Sequence, residues 1–265
     1  MNVAEALALA RELGVERLDA QLLIAHLLLQ DRAWLISHDD APVDEAQARA
    51  LLSRRAAGEP FAYIVGQQEF HGLLLQVTPD TLIPRPDTEV LVDWALELLL
   101  PGQRVVDLGT GSGAIALAIR HGQPGAEVHA VDLSAAALAV AQANAKRLGL
   151  VVTLHQGSWL GPLAGRRFEL IVSNPPYIAG GDPHLPALQH EPLSALTPGG
   201  DGLADLTAII DAAPAHLAPG GWLLLEHGHD QAEPVAAALR ARGFTELSLR
   251  HDLGGNPRAS GGRWA

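Results

Sequence analysis

The chain has 265 residues, 48% of them apolar, enough to fill one large domain or a medium domain with a small companion. It contains no cysteine, which excludes disulfides, thiolate catalysis and any zinc site with sulfur ligands, and fits a reducing compartment. A formal net charge of −12 without a segregated basic face argues against direct nucleic-acid binding and leaves a protein or small-molecule partner.

From Val3 to about Gly58 the apolar residues recur at helical spacing, with stops at Gly14 and Gly58, and predict a small helical bundle. Its longest apolar run, LLIAHLLL, is far too short to span a bilayer. Glu5 and Glu12 stand where a signal peptide carries basic residues, so a cytoplasmic location is expected. The stretch after Glu59 changes character. Phe61, Tyr63, Ile64 and Val65, then Phe70 and Leu73 to Val77, are interrupted by Gly66 and by His71-Gly72, and a hairpin around residues 67–78 is expected. Pro79, Pro84 and Pro86 rule out a long regular element and mark a boundary. The expected division is a helical domain over 1–66, a hairpin and linker over 67–83, and a larger domain over 84–265.

After a helix around residues 87–100, the apolar runs RVVDLG, AEVHAVDLS, VVTLHQG, FELIVSN and GGWLLLEHG alternate with helical patterns. Such alternation predicts an α/β domain with a mostly parallel sheet covered by helices. The tail, FTELSLRHDLGGNPRASGGRWA, reads as two strands about a Gly-rich turn, and two antiparallel end strands would bring the sheet to seven.

The run VVDLGTGSGAIALAI places Asp107 at the end of the first strand of this domain, followed by Gly109, Gly111 and Gly113 and then a helix. Alternate glycines let the backbone approach a ligand, and a helix N-terminus offers free N–H groups. The spacing is GxGxG with an acid two residues ahead, not the GxGxxG of dinucleotide sites, and favours S-adenosylmethionine over NAD. A tight strand-to-helix turn without ligand is the alternative. Asp132 ends the next strand nineteen residues after Gly113, where a carboxylate can accept from both ribose hydroxyls, and Ser134 then caps a helix. Trp159 follows the third strand, where an adenine ring would lie, although a tryptophan there also serves a core.

The fourth strand runs into Ser173-Asn174-Pro175-Pro176-Tyr177. Two prolines end a strand and stiffen the residues next to them. Asn174 and the Pro175 carbonyl can both accept hydrogen bonds from one planar NH2 group, which points to an amine or amide as methyl acceptor. Tyr177 would pack against that planar group. The histidines of EHGHD, His227 and His229, and the pairs His38 with Asp39-Asp40 and His184 with His190, each lack a third convergent ligand, so no metal is expected.

Taken together, GEPFAYIVGQQEF, TLIPRPDTE, VVDLGTGSGAIALA, FELIVSNPPYI, HEPLSAL, GGDGL and LLLEHGHDQ make the chain similar to the protein-(glutamine-N5) methyltransferases that modify peptide chain release factors. The resemblance runs from about Glu59 to the C-terminus, and for the helical N-terminus it is one of architecture only. It implies a seven-stranded Rossmann-like sheet of the class I methyltransferase type beside a small helical bundle and a hairpin connector. It also implies S-adenosylmethionine as donor, S-adenosylhomocysteine as product, and a monomer acting on the glutamine of the Gly-Gly-Gln loop of class I release factors. By the same resemblance Gly109, Thr110, Gly111, Ser112, Gly113, Asp132, Leu133, Trp159 and Asn174 hold the cofactor. Asn174, Pro175, Pro176 and Tyr177 hold the substrate, with Asn174, Pro175 and Tyr177 carrying the chemistry. Arg85, Glu89, Asp107 and Glu191 support the pocket or its lid. The helical N-terminus would dock the partner, since a glutamine loop cannot alone distinguish one protein from another; a structural cap is the alternative. Two other readings use the same motifs: methylation of an exocyclic base nitrogen in DNA or RNA, and a cofactor-binding relic without activity.

Overall fold

Asn2 opens the first helix by a reciprocal cap: its side chain accepts the Glu5 N–H at 2.8 Å while the Glu5 carboxylate accepts the Asn2 N–H at 2.9 Å. In the computed structural model, which describes residues 1–265, this helix, α1 (Val3–Glu12), begins a helical unit spanning Met1–Gln67; a second unit spans Gln68–Ala265. The first unit continues with α2 (Arg17–Leu28), α3 (Arg32–Ser37), α4 (Glu45–Ala56) and α5 (Phe61–Val65). Asp31 and Asp44 cap α3 and α4 by accepting the N–H groups of Trp34 and Gln47 at 2.7 and 2.9 Å. Val3, Leu9, Leu23, Ile24 and Leu52 form its core, and Arg55 ties α4 to Asp19 of α2 at 2.6 Å. The aromatic and β-branched run from Phe61 to Val65 folds as a helical turn because Pro60 presets its start and Gly66, at φ 73°, closes it.

β1 (Gln67–Phe70) and β2 (Leu73–Gln76) form a hairpin. Its two turn residues, His71 and Gly72, both have positive φ (49° and 77°), the geometry of a two-residue turn that matches strand twist. Leu73 and Leu75 face inward while Leu74 and Gln76 face solvent, the period of a strand with one buried face.

The second unit then runs α6 (Glu89–Leu98), β3 (Arg104–Leu108), α7 (Ala114–Gly122), β4 (Glu127–Asp132), α8 (Ala135–Leu148), β5 (Thr153–Gln156), β6 (Phe168–Ser173), α9 (Ala204–Ala212), β7 (Leu217–Glu226), α10 (Ala232–Arg242), β8 (Thr245–His251) and β9 (Pro257–Arg263). The seven strands are ordered β5-β4-β3-β6-β7-β9-β8. From β5 to β7 all pairs are parallel, and β9 is antiparallel to both β7 and β8. The two tail strands expected at the end of the sheet are there and antiparallel to each other: β9, inserted beside β7, opposes the rest, and β8 runs at the edge in the direction of the parallel strands.

Successive strand residues enter opposite cores. Val105, Leu170, Val172 and Leu224 meet α6, α7 and α8 through Leu91, Trp94, Ile115 and Ala145, whereas Val106, Ile171, Leu223 and Leu225 meet α9 and α10 through Leu206, Ile209, Val235 and Leu239. Burial on both faces is why these strands are continuous apolar runs. Each buried leucine contributes about 1.5–3 kcal/mol, and truncating Leu170 to alanine would cost about 2–5 kcal/mol.

The candidate methyl-transfer site

Strand order reverses between β4-β3 on one side and β6-β7 on the other, so the carboxyl ends of β3 and β6 open a crevice, the usual ligand position of such sheets. Register fixes what stands there. Leu108 pairs with Val131 and with Ser173, so Gly109 lies abreast of Asp132 on one flank and Asn174 on the other. The buried Ser173 hydroxyl donates to Leu108 O at 2.7 Å and ties the two strand ends.

The glycine loop is held by the N–H groups of Gly109 and Thr110, which donate to Val131 O at 2.9 and 3.0 Å, and by that of Gly111, which donates to Asp132 Oδ2 at 2.8 Å. Gly109 and Gly113 cannot carry side chains. Both have positive φ (73° and 85°), and a Cβ on Gly109 would meet Trp159 Cζ3 at 3.2 Å while one on Gly113 would meet Leu117 Cδ1 at 3.0 Å. Asn144 of α8 secures the loop further, its side-chain NH2 donating to Ser112 O at 3.0 Å and to Gln76 O at 2.9 Å.

A cavity of about 540 Å3 occupies the crevice. Gly109, Gly111, Asp132, Leu133, Trp159, Asn174 and Pro176 line it, joined by Leu82, Ser134, Gly157, Pro192, Ser194 and Asp205. Trp159 has a positive φ of 45°, a costly conformation for a tryptophan, and its side chain hydrogen-bonds Asp205. Burial pushes the Asp205 carboxyl up, and that hydrogen bond opposes the shift.

Thr110, Ser112, Gly113 and Asp107 stand behind this surface. Asp107 is fully buried; burial raises its carboxyl to about 7, the Thr110 hydroxyl and the Ala116 N–H pull it down, and the Asp132 charge pushes it up. Asp107 Oδ2 accepts from Thr110 Oγ1 at 2.6 Å and from Ala116 N at 3.2 Å, but Oδ1 has no hydrogen-bond partner. Two carboxylates beside the glycine loop, one with a buried unsatisfied oxygen, fit a ligand that carries positive charge. S-adenosylmethionine, with its sulfonium and ammonium groups, is of that kind, and the Trp159 face suits its adenine.

Arg85 and Glu191 are brought together as an ion pair, and Glu191 also accepts the Ile83 N–H at 3.0 Å. They join the segment before α6 to the loop between β6 and α9. Glu89 does not line the cavity; its carboxylate accepts the His71 N–H at 2.9 Å and supports the hairpin turn. His227 bonds Ser260 Oγ at 2.7 Å and Gly228 O at 2.8 Å, and His184 bonds Asp182 at 2.8 Å.

In the Asn174–Tyr177 motif the Asn174 amide NH2 donates to Thr88 Oγ1 at 3.2 Å, which leaves its Oδ1 available as an acceptor. The Tyr177 hydroxyl donates to Glu226 Oε1 at 3.3 Å, and its backbone carbonyl accepts from Gln231 Nε2 at 3.0 Å. Burial, then the Glu226 charge, pushes the phenol up, so it stays protonated. Sequence reasoning missed Thr88, Asp205, Glu226 and Gln231. For Glu226 a signal existed: an acid closing the run WLLLE, on the strand next to the one that delivers Asn174.

A family model described as the methyltransferase small domain matches residues 86–240, and one described as the PrmC N-terminal domain matches residues 3–66. The release factor glutamine methyltransferase of Bordetella pertussis is 53% identical, the match covering 94% of this chain and 95% of that protein. The release factor glutamine methyltransferase of Xylella fastidiosa (strain Temecula1) is 49% identical, with 94% of each covered. Among solved structures, the 16S rRNA N2 G1207 methyltransferase of T. thermophilus, in complex with AdoMet and guanosine, superposes with a TM-score of 0.58 over 75% of this chain and 50% of that one. At 22% identity that likeness shows the fold alone.

Proposed function

Since the chain belongs to the release factor glutamine methyltransferase family, we propose that the crevice between β3 and β6 is where its chemistry occurs and assign roles to its residues. The enzyme uses S-adenosylmethionine to methylate the glutamine of a release factor. The finer reading is that the acceptor is N5 of the glutamine in the Gly-Gly-Gln loop of class I factors, and that the modification tunes translation termination.

When bound, S-adenosylmethionine supplies an electrophilic methyl on a sulfonium sulfur. Gly109 to Gly113 would let the backbone approach it, Asp132 and Leu133 would hold its ribose, and Trp159 would cover its adenine. Asn174 Oδ1 and the Pro175 carbonyl accept the two N–H bonds of the glutamine amide. An amide nitrogen is a poor nucleophile because its lone pair is delocalised. Two fixed acceptors turn the NH2 group and favour a pyramidal nitrogen, which localises the pair toward the methyl. Pro175 and Pro176 keep the acceptors rigid and Tyr177 packs on the amide plane. No strong general base is needed, since the proton on nitrogen becomes acidic once nitrogen is alkylated. Arg85 and Glu191 brace the loop over the site and Asp107 supports the glycine loop.

The observation that carries this reading is the placement of Asn174 abreast of Gly109, with its NH2 already committed to Thr88 and its carbonyl left to accept. The test is transfer of labelled methyl to a purified release factor, beside the variant with alanine for the loop glutamine and beside undermethylated DNA. Label in the wild-type factor alone supports the reading; label in DNA, or equally in the variant, sinks it.

The helical unit, Met1–Gln67, is proposed to dock the release factor. It carries a cavity of about 390 Å3 lined by Leu7, Ala10, Val15 and Ala20 with Arg11 and Arg17 beside them. Removing residues 1–58 should raise KM for the whole factor more than for a short Gly-Gly-Gln peptide; equal effects would favour a structural cap. No helix is long and apolar enough to cross a membrane. A monomer working in the cytoplasm, where release factors act, completes the proposal.

A further inference from the structure

Glu226 has no part in the roles assigned above, yet the sheet brings its carboxylate to the substrate motif. Ser173 of β6 pairs with Leu225 of β7, so the next residues, Asn174 and Glu226, stand side by side at the strand ends. Glu226 is 2% exposed. Its Oε1 accepts the Tyr177 hydroxyl at 3.3 Å, and its Oε2 is buried without a hydrogen-bond partner. The buried Thr88 hydroxyl lies beside the same carboxylate and favours its charged form, while Thr88 Oγ1 accepts the Asn174 NH2 at 3.2 Å. Of the loop's side chains, Tyr177 thus rests directly on one acid from the neighbouring strand, and Asn174 is joined to it by way of Thr88.

Hydrogen-bond polarity gives that acid a task. An ionised carboxylate only accepts. It therefore takes the Tyr177 O–H and orients the Thr88 O–H toward itself, which commits the Thr88 lone pair to the Asn174 NH2 and the Asn174 Oδ1 to the substrate. A neutral Glu226 carries a proton of its own to donate, and the chain of donors loses its direction.

We propose that Glu226 is a positioning residue of methyl transfer, its carboxylate fixing through Thr88 which way the Asn174 amide faces and through its own oxygen where the Tyr177 ring stands. The inference rests on the assignment of Asn174 as the acceptor of the substrate amide. It makes the reaction sensitive to the ionisation of Glu226. Burial raises that carboxyl to about 7, against the pull of Thr88, Arg258 and Tyr177 and with a push from Asp87. Those are the groups that face it: Asp87 and Thr88 from the turn before α6, Tyr177 from the loop after β6, and Arg258 from β9. Arg258 is itself held by Asp252 at 2.9 Å and Asp87 at 3.2 Å.

The experiment compares wild type, Glu226→Gln, Thr88→Val and Asn174→Ala in kcat and KM for a purified release factor across pH, with the S-adenosylmethionine Kd measured alongside. Glutamine keeps the shape but presents an NH2 to Thr88, reversing its polarity at every pH. Wild-type kcat should fall on the acid side with a midpoint near the Glu226 value of about 7. Glu226→Gln should lower the alkaline plateau about 10- to 100-fold and abolish that acid limb, with KM and Kd held within about threefold. Thr88→Val should lower kcat by a similar factor and shrink the limb to the part transmitted through Tyr177. An unchanged kcat in Glu226→Gln, an unchanged limb, or an effect confined to KM would overturn the inference. Should Glu226→Gln fail to fold, Thr88→Val decides, and wild-type kcat there is fatal. An active Asn174→Ala would instead bring down the underlying assignment, whereas an inactive Asn174→Ala beside wild-type behaviour of the other two removes this inference alone.

Discussion

Replacing Asp107 with asparagine should stabilise the free protein, and more so as pH rises. The side chain is fully buried, and its carboxyl is held at about 7 against an ordinary 3.8. A folded value above the unfolded one means that the folded state binds the proton more tightly. The stability this contributes is fully present below the unfolded value and is lost as pH rises through the folded one. The loss is roughly 2 kcal/mol at about pH 5 and roughly 4 kcal/mol at about pH 8. Asparagine keeps the acceptor for Thr110 Oγ1 and Ala116 N and removes the titration. Urea unfolding followed by tryptophan fluorescence suits the measurement, because Trp94, Trp159, Trp222 and Trp264 lie in the unit Gln68–Ala265 and only Trp34 outside it. The variant should gain about 2 kcal/mol more over wild type at about pH 8 than at about pH 5, while binding S-adenosylmethionine more weakly. A gain independent of pH, or a loss at both, would refute the claim that burial raises the proton affinity of this carboxyl in the folded protein.

Gly109→Ala must place a methyl 3.2 Å from Trp159 at a φ of 73°, and should lower the thermal midpoint of the free protein by a few degrees and weaken S-adenosylmethionine binding at least about tenfold by calorimetry. Gly202→Ala drives its Cβ into the Tyr177 carbonyl oxygen and to 2.8 Å from Gln231 Nε2, so Tyr177 must move; kcat for the release factor should drop about 100-fold. Arg85→Ala removes the partner of Glu191, whose side chain is 2% exposed; because Arg85 itself is 39% exposed, a stability loss of only about 1–2 kcal/mol is expected in urea. The same variant should raise KM for the release factor more than it lowers kcat.

Elements with a strong local cause were readable in the sequence. β3, β4, β6 and β7 are sandwiched between helices, so VVDL, VHAV, LIV and WLLL are apolar apart from Asp107 and His129, and the glycine loop announces itself by residues that only glycine can fill. Phe61 to Val65 was ambiguous because its propensity favours a strand, while Pro60 and Gly66 at its ends impose a helical turn. The antiparallel placement of β9 was not legible, since nothing local to Pro257–Arg263 says that it inserts beside β7. Gly109, Asp132, Trp159 and Asn174, read from separate motifs, line one cavity. Glu226 and Thr88 stayed hidden because what they do depends on the register of β6 against β7 and on a side-chain bond spanning 86 positions, from Asn174 to Thr88.

The segment from Ile178 to Gly202 is stitched shut at its base, with Ile178 N donating to Leu196 O at 3.0 Å, Gly180 N to Gly200 O at 3.1 Å, and Gly202 packed against Tyr177. Beyond those bonds only Glu191, Pro192, Ser194 and Ala195 reach back, to the Arg85 ion pair and to the cavity wall. Doubling the length of such a closed excursion costs only about 0.6 kcal/mol of closure entropy. Residues 182–190, which carry neither the Glu191 ion pair nor a cavity wall, can therefore change in length and sequence without disturbing Asn174.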